Sequence, residues 1–129
     1  MRSRFPDDLE AVRSRSEGYL VVVTDADQHT TAHRRAQLDE ECDRRAVPRR
    51  TPEDRAIVIV PRRNIETWFE YLDDREVDED STCPKRFVGR EHRHLAEKLY
   101  RLCHEDQRLP ESAPASLVES CVDYAKLKR

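Results

Sequence analysis

The chain has 129 residues, 40% of them charged and 36% hydrophobic, with a formal net charge of −3. That is one domain's worth of chain. The absence of any membrane-length apolar run excludes a spanning helix, and the negative balance excludes attachment to nucleic acid through a uniformly basic surface. The apolar supply is thin for this length, so a small core that leans on a partner is expected.

The elements follow in chain order. Residues 7–16 predict a short helix, with Pro6 near its start, Asp7 and Asp8 in the first turn where the helix dipole favours acids, and Gly18 at its end. Residues 19–24 carry Leu20-Val21-Val22-Val23, an apolar run that reads as a buried strand. A polar helix is expected over 30–46, with Ala32, Ala36 and Leu38 as its few small or apolar positions, and Pro48 and Pro52 mark a loop. Residues 56–60 form a second apolar strand closed by Pro61. A helix follows over 64–72, where Ile65, Trp68, Phe69 and Leu72 have the i, i+3, i+4, i+7 spacing of a core face. An acidic loop over 73–88 leads to a helix over 89–106 with Leu95, Leu99, Leu102 and Cys103 on one face. Pro110 and Pro114 precede a last helix over 116–126, with Leu117, Val118, Cys121 and Val122 inward.

Strand, helix, strand is a βαβ unit, so the two strands should be parallel neighbours in an α/β fold with flanking helices. Residues 1–72 form the α/β core, and 73–129 a helical extension packed on the same domain. A two-stranded parallel sheet is incomplete, since parallel sheets usually have more strands and both faces covered. The missing strands would come from a second copy, a partner chain or an upstream segment.

The chemistry concentrates where the strands end. Asp25 and Asp27 follow the first strand at its carboxyl end, where α/β sheets bind ligands. If the backbone stays extended there, both carboxylates face one volume and suit a hard cation, Mg²⁺ or Mn²⁺. The plainer reading is an Asp-rich turn and helix cap. Glu66 follows the second strand and either joins the two aspartates or serves as a first-turn carboxylate. Arg62 and Arg63 lie beside it, placed to clamp phosphate oxygens or to pair with the aspartates. Trp68 belongs to the core. His29 and His33 share a helix face at its solvated start. Cys42, Cys83, Cys103 and Cys121 form no Cys-x-x-Cys pair and are expected as reduced, partly buried thiols of a cytoplasmic protein. The N-terminus shows no apolar leader. The two glycines build no phosphate-cradling loop, which argues against nucleotide hydrolysis.

The strand ending in Val-Val-Thr-Asp25-Ala-Asp27, the helix after it, the second apolar strand, and the turn Pro61-Arg62-Arg63-Asn64-Ile65-Glu66-Thr67-Trp68 resemble the C-terminal half of a Toprim (topoisomerase–primase) domain. The segment is similar to nuclease-like proteins of the overcoming-lysogenization-defect group, and the likeness covers roughly residues 7 to 72. It implies that Asp25 and Asp27 hold Mg²⁺ or Mn²⁺; Glu66 is the internal substitute for the family's acid/base glutamate, and Arg62 and Arg63 beside it are the groups to clamp substrate phosphate. It further implies action on nucleic-acid phosphodiesters, in a defence or repair assembly. The family also carries a glutamate at the end of an earlier strand. Glu10 falls on the first helix and Glu17 at the amino end of the strand, so neither matches that position. The alternative is a non-catalytic module that dimerises or binds a partner ATPase.

Overall fold

The computed structural model describes residues 2–81, 93–106 and 109–127. Its elements are α1 (Phe5–Arg13), β1 (Leu20–Val23), α2 (Thr31–Arg44), β2 (Ala56–Ile59), α3 (Glu66–Leu72), α4 (Arg93–Tyr100) and α5 (Ala115–Tyr124). A short 3₁₀ turn precedes α1, and α4 continues as a π-helical stretch over Arg101–Asp106. The fold is α/β: β1 and β2 pair in parallel, with Leu20 opposite Ala56 and Val23 opposite Ile59. The expected start of the helix at 89, the loop residues 82–88, and Cys83 lie outside the described residues.

Strand alternation splits the core into two layers. Val22, Ala56, Val58 and Val60 face Phe5, Leu9 and Val12 of α1 and Leu38 and Cys42 of α2. The spacing 5, 9, 12 is one face of a helix, and it explains why so polar a segment folds as α1. Ile57 and Ile59 face the other way, against Trp68, Cys103, Leu117 and Cys121. Helix α2 starts at Thr30, whose hydroxyl accepts from the His33 N–H at 3.0 Å.

The outer edge of β2 is closed by side chains. In a strand, the N–H and C=O of alternate residues point to the same edge. Those of residues 56, 58, 60 and 62 point away from β1. Helix α5 lies along this edge. The Val58 N–H donates to Asp123 at 3.0 Å, Val60 N–H to the Ser120 hydroxyl at 3.2 Å, and Arg62 N–H to the Ser116 hydroxyl at 3.3 Å. Arg35 donates to the Val58 carbonyl and Arg50 to the Ala56 carbonyl. Residues 116, 120 and 123 sit at helical spacing on one stripe, so a polar face of α5 takes the place of a third strand. Trp68 is buried as expected and its indole N–H donates to the Ser116 hydroxyl at 2.9 Å.

This corrects the expected orientation of α5. Leu117 and Cys121 are inward, but Val118 is 43% and Val122 73% exposed. Satisfying the strand's buried backbone turns the Ser-Ser-Asp stripe to the sheet and these two valines outward. The cysteine expectation is also corrected. Cys103 and Cys121 form a disulfide, their Cα atoms 5.1 Å apart, because the turn after α4 and helix α5 meet over Ile57 and Ile59. Cys42 is a free, buried thiol. Among the described residues, no helix is long and apolar enough to cross a membrane.

Arg13 ties α1 to the loop before β2. Arg13 reaches Asp54 with two N–H groups, both at 2.9 Å, and its other donors go to the carbonyls of Pro48 and Arg49. That fork holds the Asp54 carboxyl down at about 2, from an ordinary 3.8, mainly through the Arg13 hydrogen bonds and against a smaller burial effect. A depressed folded pKa stabilises the fold above the unfolded value and loses that contribution as pH falls through the folded one. Asp54→Ala is therefore expected to cost roughly 1–2 kcal/mol at neutral pH, an amount reduced by partial solvent screening. The difference from wild type should shrink between pH 4 and pH 2, as followed by urea unfolding. An equal cost at both ends of that range would show that the ion pair is not its source.

Candidate functional site

The site lies beyond the carboxyl ends of the paired strands. The ladder runs past β1, with the Thr24 N–H on the Ile59 carbonyl at 3.0 Å and the Ala26 N–H on the Pro61 carbonyl at 2.8 Å. The chain then turns: the His29 N–H returns to the Ala26 carbonyl at 2.9 Å, and Asp27 adopts φ 56°. Aspartate tolerates this left-handed conformation better than most residues. The backbone is therefore not extended through Asp27, and the expectation that both aspartates project together from a continuous strand is replaced by a turn that presents them one after the other.

Arginines hold this turn by its carbonyls. Arg34, on α2, donates to the Asp25 carbonyl at 3.0 Å. Arg63 donates to the Asp27 carbonyl at 3.1 Å, and Arg62 to the His29 carbonyl. Arg62 also stands 3.9 Å from Asp80 of the acidic loop. Arg62 and Arg63 thus meet the aspartate turn through its backbone carbonyls. The Arg63 Nε is buried with no hydrogen-bond partner among the described residues.

Glu66 opens α3, directly after the β2 turn. Glu66 and Asp27 both lie close enough to act electrostatically on Asp25. The Asp25 carboxyl is pushed up from its ordinary 3.8, first by partial burial, then by repulsion from Glu66 and from Asp27, with Arg34 opposing. A carboxylate whose folded pKa is raised above its unfolded value weakens the fold once it ionises, as pH rises through the unfolded value. Asp25→Asn should accordingly stabilise the metal-free protein at pH 7, by no more than about 1 kcal/mol given its exposure. The gain should vanish near pH 3. Urea midpoints at the two pH values check this, and a destabilised variant at pH 7 would show that the carboxylates do not repel.

His29 and His33 stack with ring centroids 4.5 Å apart, and both are exposed. Among the described residues, no group of three or more His, Cys, Asp or Glu is arranged to hold a metal ion. The carboxylates share a field without forming a closed cage. Sequence reasoning overlooked Arg34, which faces the turn from α2; its place nine residues after Asp25 was the available signal.

No family model matches the chain, no curated protein matches it, and no solved structure matches its fold.

Proposed function

We propose that this chain is a Toprim-like protein that binds Mg²⁺ or Mn²⁺ and acts on the phosphodiesters of nucleic acid, within a defence or repair assembly. The observation that carries this reading is the position of Asp25 and Asp27 on the turn beyond the carboxyl ends of two parallel strands, with Glu66 opening the helix after the second. The local arginines hydrogen-bond to backbone carbonyls of the turn, so the carboxylate oxygens of Asp25 and Asp27 are the groups that would meet a cation. The donor set suits Mg²⁺, which is usually held by one or two carboxylates and completes its octahedral shell with water and substrate phosphate.

Asp25 and Asp27 would hold the ion, which when bound neutralises charge developing on a phosphoryl group. Glu66 would accept or return a proton at its carboxylate oxygens. Arg62 and Arg63 fix the turn, and their remaining N–H groups are the candidate phosphate donors. Compact anchoring of this kind limits movement of the aspartates during any reaction.

A second reading, a non-catalytic module that pairs with itself or docks on a partner ATPase, is favoured by the outer edge of β1, which pairs with no strand among the described residues. Incubation with labelled single- and double-stranded DNA and RNA in Mn²⁺ separates the two. Cleavage lost on Asp27→Asn and on Glu66→Gln supports the enzyme. Cation binding without cleavage supports the module, and cleavage unaffected by either variant removes the assigned site.

A further inference from the structure

The two edges of the sheet are treated in opposite ways. Along β2 the outward carbonyls of Ala56 and Val58 and the N–H groups of Val58, Val60 and Arg62 all have side-chain partners. Along β1, residues 20, 22, 24 and 26 face β2, and residues 19, 21, 23 and 25 face away. Asp25 is capped by Arg34. Among the described residues, no backbone or side-chain partner meets the outward N–H and C=O groups of Val21 and Val23. Their side chains share a face with Ile57 and Ile59, yet Val21 is 47% and Val23 39% exposed, and Tyr19 beside them is 37% exposed. Residues 19–23 contain no charge, proline or bulge, in a chain that is 40% charged.

We propose that the outer edge of β1 is the docking surface for a second copy of this chain, paired antiparallel about Val22. This deepens the assembly part of the proposed function and is independent of the cation chemistry. The strand is self-complementary in that register. Val21 of each copy opposes Val23 of the other, and both are outward-facing, so each such pair exchanges both of its N–H···O=C bonds. The symmetric interface thus gains four backbone hydrogen bonds and two apolar cross-strand pairs, and it makes a four-stranded sheet. Charge selects this direction. Parallel in-register pairing would set the two Asp25 residues about 5 Å apart, whereas the antiparallel register separates them by about 20 Å. Each Asp25 then opposes Tyr19 of the second copy, and the two acidic turns stay open at opposite ends of the joined sheet.

Light scattering of the full chain, from micromolar to millimolar concentration, should show the mass rise from 15.2 kDa toward twice that value. Amide exchange of Val21 and Val23 should slow over the same range. Val21→Lys places a charge on an exposed position and should weaken association at least about tenfold with the fold unchanged. Val23→Pro removes an outward N–H without touching the bonds to β2 and should do the same. A monomer throughout the range overturns the proposal, as does a dimer that both variants leave intact. Slow exchange at Val21 and Val23 in a monomer overturns it too, since the chain's own residues would then cover the edge. Mg²⁺ titration of the monomeric Val21→Lys variant reports separately on the cation site.

Discussion

Asp123→Ala is expected to cost about 3 kcal/mol, the largest loss for a single polar side chain in this protein. Asp123 is 8% exposed near the end of α5. Its Oδ2 accepts from the Val58 N–H at 3.0 Å and from Arg50 at 2.8 Å, with Arg35 at 4.0 Å, and its Oδ1 meets Lys126 at 3.2 Å. Burial lowers the pKa of the Arg35 guanidinium while Asp123 raises it, so this cation depends on the carboxylate. Removing the carboxylate leaves a strand amide without an acceptor and three cations facing one another. An uncompensated buried group costs its full desolvation penalty, which exceeds the net worth of the bond it made. Asp123→Asn keeps an acceptor for Val58 and should lose less than the alanine variant. Urea unfolding of both variants at neutral pH measures the difference. A cost below about 1 kcal/mol for the alanine variant would mean that α5 is held to β2 by apolar packing alone.

Breaking the Cys103–Cys121 bond is expected to have a comparable effect. The two residues are 18 apart in sequence, and closing a loop of that size in the unfolded chain is worth roughly 3 kcal/mol. For a domain of this length that corresponds to a fall in Tm on the order of 10 °C. The cysteines are 3% and 7% exposed, so a reductant reaches them slowly until α5 lifts from the sheet. Cys103→Ser avoids that delay. Its Tm, compared with that of the wild type under oxidising and fully reducing conditions, gives the bond's contribution. Reduced wild type should match Cys103→Ser closely. Equal Tm values for oxidised and reduced wild type would show that the bond does not hold α5.

What could be read from the sequence was whatever depended on local period. Two apolar runs of strand length and the helix between them implied the parallel pair, and Val22 and Val58 are buried in it. The spacing of Trp68 and Leu72 likewise marked the buried face of α3. Features that depend on tertiary satisfaction were not legible. Ser116, Ser120 and Asp123 lie at 3–4-residue spacing, which looks like the solvated side of an amphipathic helix until the open edge of β2 is set against it. For the same reason Val118 and Val122 looked inward. The cysteine pairing could not be found either, because separation in sequence says nothing about which turns meet. At the site, the position of the acids was legible and the conformation was not. Asp27 leaves the strand direction at φ 56°, and nothing in Asp-Ala-Asp fixes that turn. Arg49 and Arg50 are likewise spent on Asp43 and Asp123, partners that no local pattern marks.

The outer edge of β1 and the acidic turn at its end bear on one question, which is whether this chain carries a cation site of its own or only a surface for assembly. Titration of Mn²⁺ into the metal-free protein, followed by the loss of the free-ion electron paramagnetic resonance signal, answers it most directly. Saturable binding is expected in the wild type, at least about tenfold weaker in Asp25→Asn and in Asp27→Asn and less affected in Glu66→Gln. Wild-type protein that leaves the free-ion signal unchanged, or binding that survives loss of both aspartates, would contradict the assignment of Asp25 and Asp27 as the metal ligands.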